Sequence, residues 1–259
     1  ENAVMAATLA KGVTTIFNAA CEPHVQDLCL MLNKMGARIG GVGTNYLTIE
    51  GVPSLGGVTH RISSDYIDAA SFIAAAAVTG GGLRMEDART DDMRIVSRPF
   101  AKLGVGWAVK DGVLAMNPCR RLAVRDDFGS AIPKIEDGPW PSFPSDLMSV
   151  ALVLATQAAG TMLFFEKMFE SRMYFVDRLI EMGARIVQCD PHRVIVSGPA
   201  KLRGTRLSSP DIRAGMALVV AALCAEGETV IGNAGVIDRG YERIDTRLRA
   251  LGADIVREK

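Results

Sequence analysis

The chain has 259 residues, of which 49% are hydrophobic, and its formal net charge is zero. This composition is typical of a globular protein with a sizeable core, and the balanced charge without any basic run argues against a nucleic-acid-binding protein. No apolar stretch approaches the roughly 20 residues that a transmembrane helix needs. Five scattered cysteines without a CxxC motif and three dispersed histidines predict no metal site, no cofactor and a reduced, cytoplasmic setting.

The chain opens on "ENAVMAATLA", which reads as the inside of a helix and has no initiator Met before it. We therefore expect an N-terminal part that this sequence does not contain. A β-branched run predicts a strand at Val13–Asn18, and an amphipathic pattern predicts a helix at Val25–Lys34. A further strand is predicted at Tyr46–Ile49. These segments give the first unit an alternating order of helices and strands.

One phrase recurs four times along the chain, as "LNKMGARIGG", "FAKLGVGWAV", "LIEMGARIVQ" and "LRALGADIVR". Its glycines, about 70 residues apart, are Gly36, Gly104, Gly183 and Gly252. A glycine just past the last helical residue is a common helix stop, so each phrase predicts a helix that ends at its glycine. The spacing indicates an internal repeat that is too long for a thin solenoid.

The later copies repeat the elements of the first one. Amphipathic helices are predicted at Phe175–Met182 and Tyr241–Leu251. Strands are predicted at Val194–Val196 and Thr229–Gly232, where β-branched residues are frequent. Alternation of strands and helices indicates an α/β protein whose sheets are covered by helices.

Three apolar, Ala-rich helices begin alike, with Ser or Pro directly before an aspartate: "SSDYIDAASFIAAAA", "PSDLMSVALVLA" and "SPDIRAGMALVV". Asp65, Asp146 and Asp211 therefore occupy matching positions at three helix starts. Each aspartate can simply cap its helix, which stabilises a helix by about 1 kcal/mol. Alternatively, the three helix starts converge into an anion-accepting floor in which an aspartate acts as a base.

Arg213 lies in the first turn of the third of these helices, where the helix dipole mildly disfavours a cation. A surface ion pair with Asp211 would explain this placement. An anion bound at the start of the helix would explain it equally well.

The repeats and four motifs, "FPSD", "FESRMYFVDRLIEMGARI", "PDIRAGMALVVAALCAEGETVI" and "IDRGYERIDTRLRALGADI", resemble the enolpyruvyl transferases over nearly all of the chain. The resemblance implies an inside-out α/β barrel of repeated βαβαββ units around buried parallel helices, incomplete at its N-terminus. Residues 1–63 would be the last repeat unit of the first-half domain. Residues 64–259 would form a three-unit domain that lacks its N-terminal strand.

The resemblance also implies an activity. The enolpyruvyl group of phosphoenolpyruvate would pass to the 3-hydroxyl of UDP-N-acetylglucosamine with release of phosphate, the first committed step of peptidoglycan synthesis. Asp146, Asp211 and Arg239 are then expected to be catalytic, with Asp146 the candidate base for the sugar hydroxyl. The residues expected to bind substrate are Asp146, Met168, Glu170, Arg172, Arg213, Arg239, Glu22 and Asp65. Arginines suit a substrate with a carboxylate and a phosphate because they offer permanently charged, bidentate donors.

The sequence also departs from the family. The catalytic general acid, usually a Cys on a mobile loop, belongs to the preceding half, and none of the five cysteines here takes its place. We therefore expect this chain alone to be inactive and to need the N-terminal half to complete an interdomain cleft. The segment "PKIEDGPWPSFPSD", with Trp140, is unusual and leaves open another acceptor alcohol, of shikimate type or from secondary metabolism. A non-catalytic fragment that retains the fold is the remaining alternative.

Overall fold

The computed structural model describes residues 1–88, 91–119 and 121–258. The chain divides into two compact units. Unit 1 comprises Glu1–Ser64 together with Pro139–Pro141, and unit 2 comprises Asp65–Gly138 together with Ser142–Lys259. Within the described ranges, no helix combines the length and the apolar character needed to cross a bilayer.

Unit 1 is a three-stranded antiparallel sheet with two helices on one face. Its elements are α1 (Asn2–Thr8), β1 (Val13–Phe17), α2 (Pro23–Lys34), β2 (Arg38–Gly40) and β3 (Tyr46–Glu50), and the strand order is β1-β3-β2. Side chains alternate along β3, so Leu47 and Ile49 are buried while their neighbours are exposed. Leu47 and Ile49 join Val25 and Cys29 of α2 in the core of this unit.

Unit 2 contains the remaining helices and strands. In chain order they are α3 (Tyr66–Val78), β4 (Leu83–Met85), α4 (Arg94–Lys102), β5 (Ala108–Lys110), β6 (Val113–Met116), β7 (Lys134–Glu136), α5 (Met148–Gln157), β8 (Gly160–Phe165), α6 (Val176–Glu181), β9 (Ile186–Gln188), β10 (Arg193–Gly198), β11 (Arg206–Ser208), α7 (Ile212–Leu223), β12 (Val230–Gly232) and α8 (Ile244–Ala250). The sheets have the strand orders β4-β6-β5, β7-β8-β10-β9 and β11-β12. Most pairs are antiparallel, but β7–β8 and β11–β12 are parallel. The fold is therefore mixed α/β.

Three buried helices, α3, α5 and α7, pack against one another in the middle of unit 2. They are largely apolar, and all residues of α5 except Gln157 are buried. Sheet strands cover them: α5 packs on β8 and β10, and α3 packs on β4. The starts of α5 and α7 lie close together, since the Ser149 hydroxyl donates to the Arg213 carbonyl at 3.1 Å. The core thus brings two of the expected helix starts into one region.

Most of the elements predicted from the sequence are confirmed, with boundaries that shift by one to three residues. The four glycines of the recurring phrase all have positive φ, between +81° and +103°. A side chain rarely adopts this conformation, which explains why glycine recurs at these helix ends. The prediction of a helix from Tyr241 is wrong at its start. Helix α8 begins at Ile244 because Arg243, with φ of 48°, is in the left-handed region.

Candidate active site

The three aspartates that open the buried helices divide into two kinds. Asp65 accepts hydrogen bonds from the backbone N–H groups of Ile67 and Asp68, at 2.8 and 3.3 Å, and so caps α3. Asp211 caps α7 in the same way, through the N–H groups of Arg213 and Ala214 at 2.7 and 2.9 Å. These two side chains have the capping role that their positions also suggested.

Asp146 does not cap a helix. It lies in a 3₁₀ turn, Ser145–Leu147, and α5 begins only at Met148. The expectation that Asp146 sits at a helix start equivalent to those of Asp65 and Asp211 is therefore wrong in this detail. The extra turn leaves the Asp146 carboxylate free to contact side chains instead of backbone N–H groups.

Those side chains are two arginines from distant parts of unit 2. Arg172 donates from Nη2 to Oδ1 of Asp146 at 3.1 Å. Arg213 contacts Oδ2 through Nε at 2.9 Å and through Nη2 at 2.8 Å. The side chains of Arg172 and Arg213 are 18% and 19% exposed, against 36% for Asp146, so the cluster is partly screened from water. Each carboxylate oxygen thus binds one guanidinium group.

Arg213 is held in place by an aromatic ring as well as by Asp146. Its guanidinium carbon lies 5.4 Å from the centroid of the Tyr241 ring, which is a cation–π distance. Burial alone would lower the pKa of Arg213, but Tyr241 and Asp146 outweigh it and the pKa lies above its usual value. Asp211 accepts from the backbone N–H of Arg213, so the guanidinium group pairs with Asp146 and Tyr241 and not with Asp211.

Tyr241 in turn is anchored in the core. Its hydroxyl lies 3.0 Å from Oγ of Ser71, and Ser71 donates its own hydrogen to the carbonyl of Ile67 at 2.8 Å. The Tyr241 hydroxyl is therefore the donor to Ser71. Burial raises the pKa of this phenol. Next to the ring, a Cβ added at Gly240 would come within 2.5 Å of Cγ2 of Ile212 and 3.3 Å of Nη1 of Arg213, which explains the glycine there.

One donor of Arg213 remains unused. Its Nη1 is buried and has no hydrogen-bond acceptor among the residues that the structure describes. A buried polar atom without a partner costs free energy in a native protein, and such atoms are rare. The arginine is thus prepared to donate to a further anion.

Arg239 lies at the end of the 3₁₀ helix Ala234–Arg239 and is exposed. Asp238, its neighbour in the sequence, is bound by Arg257 at 2.8 Å, which lowers the pKa of Asp238. Arg239 has no hydrogen bond or ion pair with any described residue. Its guanidinium group is therefore available to a ligand.

The segment that follows β8 contains the other expected binding residues. Met168 and Glu170 are both exposed, and the backbone N–H of Met168 donates to Glu166 at 3.1 Å. The guanidinium of Arg172 stacks over the ring of Phe169, 5.0 Å from its centroid. Unit 2 thus brings Arg172, Arg213 and Asp146 together, whereas the Glu170 side chain has no hydrogen bond or ion pair with a residue that the structure describes.

Glu22 belongs to unit 1, where it precedes α2. Its side chain makes no capping hydrogen bond, and its Oε2 is buried without a partner in the described residues. In the same unit, the Cys21 thiol donates to the Trp140 carbonyl at 3.7 Å. The proposed binding role of Glu22 stays a prediction.

Three of the five thiols are shifted away from the thiolate form. All five cysteines are free. Burial raises the pKa of Cys21 and Cys29, and it raises that of Cys224 to about 11. A reactive thiolate would need the opposite shift.

Sequence reasoning missed Tyr241, Ser71 and Glu166. Tyr241 lies inside the motif "DRGYERI", and an aromatic residue between charged ones could have been read as a stacking partner for an arginine. Glu166 ends the apolar strand "GTMLFFE", where a buried acid is unusual. Ser71 gives no signal, because a serine inside an Ala-rich helix is common.

Comparison with known proteins identifies the class. A sequence profile of EPSP synthase (3-phosphoshikimate 1-carboxyvinyltransferase) matches residues 1–248, and the chain belongs to this enolpyruvyl transferase family. The UDP-N-acetylglucosamine 1-carboxyvinyltransferase of Treponema denticola is 56% identical over 98% of this chain and 60% of its own length. The enzyme of the same name from Treponema pallidum is 54% identical over 100% of this chain and 61% of its own.

A solved structure agrees with this assignment. The enolpyruvyl transferase NikO from Streptomyces tendae superposes with a TM-score of 0.83 at 26% identity, covering 97% of this chain and 58% of that one. The chain spans about 60% of the length of the curated relatives that it matches.

Proposed function

We propose that this chain is the C-terminal portion of a cytoplasmic enzyme that transfers the enolpyruvyl group of phosphoenolpyruvate to the 3-hydroxyl of UDP-N-acetylglucosamine and releases phosphate. The observation that carries the proposal is the cluster in which Asp146, just before α5, binds Arg213 in the first turn of α7 and Arg172 from the segment after β8. The names of the most similar relatives support the choice of acceptor.

The arginines suit the donor substrate. Phosphoenolpyruvate carries a carboxylate and a phosphate, and guanidinium groups bind both in bidentate fashion. Without substrate, Asp146 takes the place of that anion for Arg172 and Arg213. Arg239 and the unused Nη1 of Arg213 supply further donors. The backbone N–H groups at the N-terminus of α7 add a partial positive charge that also favours an anion.

Asp146 is the proposed base. When phosphoenolpyruvate binds the arginines, the Asp146 carboxylate is released from them and can accept the proton of the acceptor hydroxyl. The hydroxyl oxygen then forms a bond to C2 of phosphoenolpyruvate while C3 takes a proton from a general acid. In the second step C3 loses a proton, the C2–O bond to phosphate breaks, and the vinyl ether and free phosphate are formed.

The general acid is proposed to lie in an N-terminal half outside this chain. In the same arrangement, residues 1–63 would be the last repeat unit of the first-half domain and residues 64–259 would form a three-unit domain of an inside-out barrel. Glu22 and Asp65 would then border the cleft between the halves. The packing of α3, α5 and α7 under short sheets supports this barrel.

The experiment compares phosphate release by the full-length protein and by the 259-residue chain, each with phosphoenolpyruvate and UDP-N-acetylglucosamine. We expect turnover by the full-length protein and none by the chain alone. Shikimate 3-phosphate serves as the competing acceptor, and its preferential use would replace the proposed acceptor with a shikimate-type one. A full-length protein that releases phosphate with neither acceptor would indicate a non-catalytic relative.

A further inference from the structure

Two carboxyl groups lie side by side in the interior of unit 2. Glu166 is 0% exposed and Asp137 is 1% exposed. They follow the parallel neighbouring strands β8 and β7, in which Glu136 is paired with Phe165, so that Asp137 and Glu166 form the next pair along the register. Side chains at paired positions of parallel strands point to the same side of the sheet.

Three donors converge on Glu166. The Ser145 hydroxyl lies 3.0 Å from Oε1 and 2.9 Å from Oε2, and the backbone N–H groups of Met168 and Phe169 each donate to Oε1 at 3.1 Å. Asp137 accepts the backbone N–H of Lys167 through Oδ1. Its Oδ2 is buried and has no donor among the described residues. That oxygen needs a hydrogen, and the neighbouring carboxyl group can supply one.

Among the residues that the structure describes, no cation pairs with either carboxyl group. Lys134 and Lys167 both contact the half-buried Glu136, at 3.0 and 3.4 Å. His192 directs Nδ1 to the backbone carbonyl of Glu166, at 2.9 Å, and not to its carboxyl group. The two arginines of the candidate active site, Arg172 and Arg213, pair with Asp146.

Electrostatics agrees with the geometry. Burial and then the adjacent Asp137 raise the pKa of Glu166 to about 8. Two carboxylates in contact cannot both stay ionised away from water, so the pair keeps a proton at neutral pH.

We propose that Asp137 and Glu166 share one proton and act as a positioning pair for the candidate active site. Ser145 directly precedes Asp146, and Lys167–Phe169 directly precedes Glu170 and ends three residues before Arg172. Through its hydrogen bonds the pair therefore fixes two chain segments that present the proposed base and one of its arginines. The role in positioning substrate-binding groups rests on the proposed function, whereas the shared proton and the fixed segments do not.

The shared proton is tested with Glu166→Gln, whose amide can donate to Asp137 and accept from the backbone. Glu136→Gln, which changes a half-buried carboxylate at the end of the neighbouring strand β7, is the matched control. At pH 7 the parent chain and the control should show the infrared carbonyl band of a protonated carboxylic acid, and Glu166→Gln should lack it. Absence of the band from the parent, or its persistence in Glu166→Gln, would overturn the proposal. Should Glu166→Gln fail to fold, Asp137→Asn removes the same band and replaces it in the test.

The pH dependence of the free energy of unfolding gives a second test of the shared proton. The folded pKa of Glu166, about 8, is above its ordinary value of 4.5. The stability that the protonated Glu166 contributes is therefore fully present below about pH 4.5, and it is progressively lost as the pH rises to about 8. Relative to Glu166→Gln, the parent should become less stable over this interval, and Glu136→Gln should follow the parent. Equal pH dependence of the parent and Glu166→Gln would contradict the shared proton.

The positioning role is tested without enzyme activity, by amide hydrogen exchange at Met168 and Phe169. Glu166→Ala should speed this exchange at least about tenfold, and Glu166→Gln should restore slow exchange because its carbonyl still accepts both N–H groups. Slow exchange in Glu166→Ala would refute the positioning role. Absence of turnover in the full-length parent would instead count against the proposed function and would leave these results in place.

Discussion

Asp146 and Arg213, 67 residues apart in the sequence, are joined by two contacts of 2.9 and 2.8 Å to the same carboxylate oxygen. Arg172 contacts the other oxygen at 3.1 Å. The carboxylate thus holds two arginines in a shared orientation before any ligand arrives. Under the proposed function, Arg172 and Arg213 exchange this carboxylate for the anionic substrate.

Arg213→Ala should reduce the use of phosphoenolpyruvate much more than it reduces stability. Hydrogen bonds to charged groups contribute about 1.5–3 kcal/mol each, so kcat/KM for phosphoenolpyruvate should fall by about 100-fold in the full-length protein. Arg193→Ala, which breaks an exposed pair with Asp190, is the matched control and should change kcat/KM little. An Arg213→Ala protein with parental kcat/KM would show that this arginine is an ordinary part of the helix start.

Arg239→Ala should have almost no effect on folding, because Arg239 is exposed and pairs with no described residue. Its free energy of unfolding in urea should stay within about 0.5 kcal/mol of the parent. The value of kcat/KM for phosphoenolpyruvate should nevertheless fall at least about tenfold, since a charged hydrogen bond to the ligand is lost.

Arg257→Ala is the control for that experiment. It removes the partner of Asp238 and Asp245 and should lower stability by roughly 0–1 kcal/mol, the usual range for exposed pairs. If Arg239→Ala lowered stability as much as Arg257→Ala and left kcat/KM intact, Arg239 would have a structural role instead.

Two substitutions separate the ring of Tyr241 from its hydroxyl. Tyr241→Phe removes the bond to Ser71 and should cost about 1 kcal/mol of stability, while the ring still lies against Arg213. Tyr241→Leu also removes the cation–π contact, worth about 0.5–2 kcal/mol, and should raise KM for phosphoenolpyruvate further. Equal KM values for Tyr241→Phe and Tyr241→Leu would mean that the ring does not position Arg213.

Cys224 should resist alkylation at pH 8, because its pKa of about 11 keeps the thiol protonated. Exposed Cys189 should react first with iodoacetamide, as peptide mass spectrometry of the folded chain can show. Cys224→Ala in the full-length protein should keep kcat within about threefold, a difference under roughly 0.7 kcal/mol. A much larger loss would place this thiol in the chemistry.

The sequence predicted the elements of the fold better than the contacts of the site. Hydrophobic periodicity and composition predict strand Val13–Phe17 and helix Pro23–Lys34 to within two residues. The ends of two helices are marked by Gly36 and Gly183, which have the positive φ that glycine tolerates. These features depend on local interactions. The extra 3₁₀ turn at Asp146 breaks the likeness of the three helix starts and could not be inferred from them.

Long-range contacts explain the other differences. Asp238, next to Arg239 in the sequence, is bound by Arg257, which lies near the end of the chain. The adjacency of Asp137 and Glu166 arises from the register of two parallel strands, which composition does not define. The resemblance located the candidate residues, and the folded chain shows which of them meet.

The most direct test of the account is the rate of phosphate release by the full-length protein in which Asp146 is replaced by asparagine. Asp146→Asn keeps the size of the side chain but cannot accept a proton from the acceptor hydroxyl. With phosphoenolpyruvate and UDP-N-acetylglucosamine, the account predicts a loss in kcat of about 10²–10⁴-fold with folding retained. A variant that releases phosphate at the parental rate would contradict the role of Asp146 as the base.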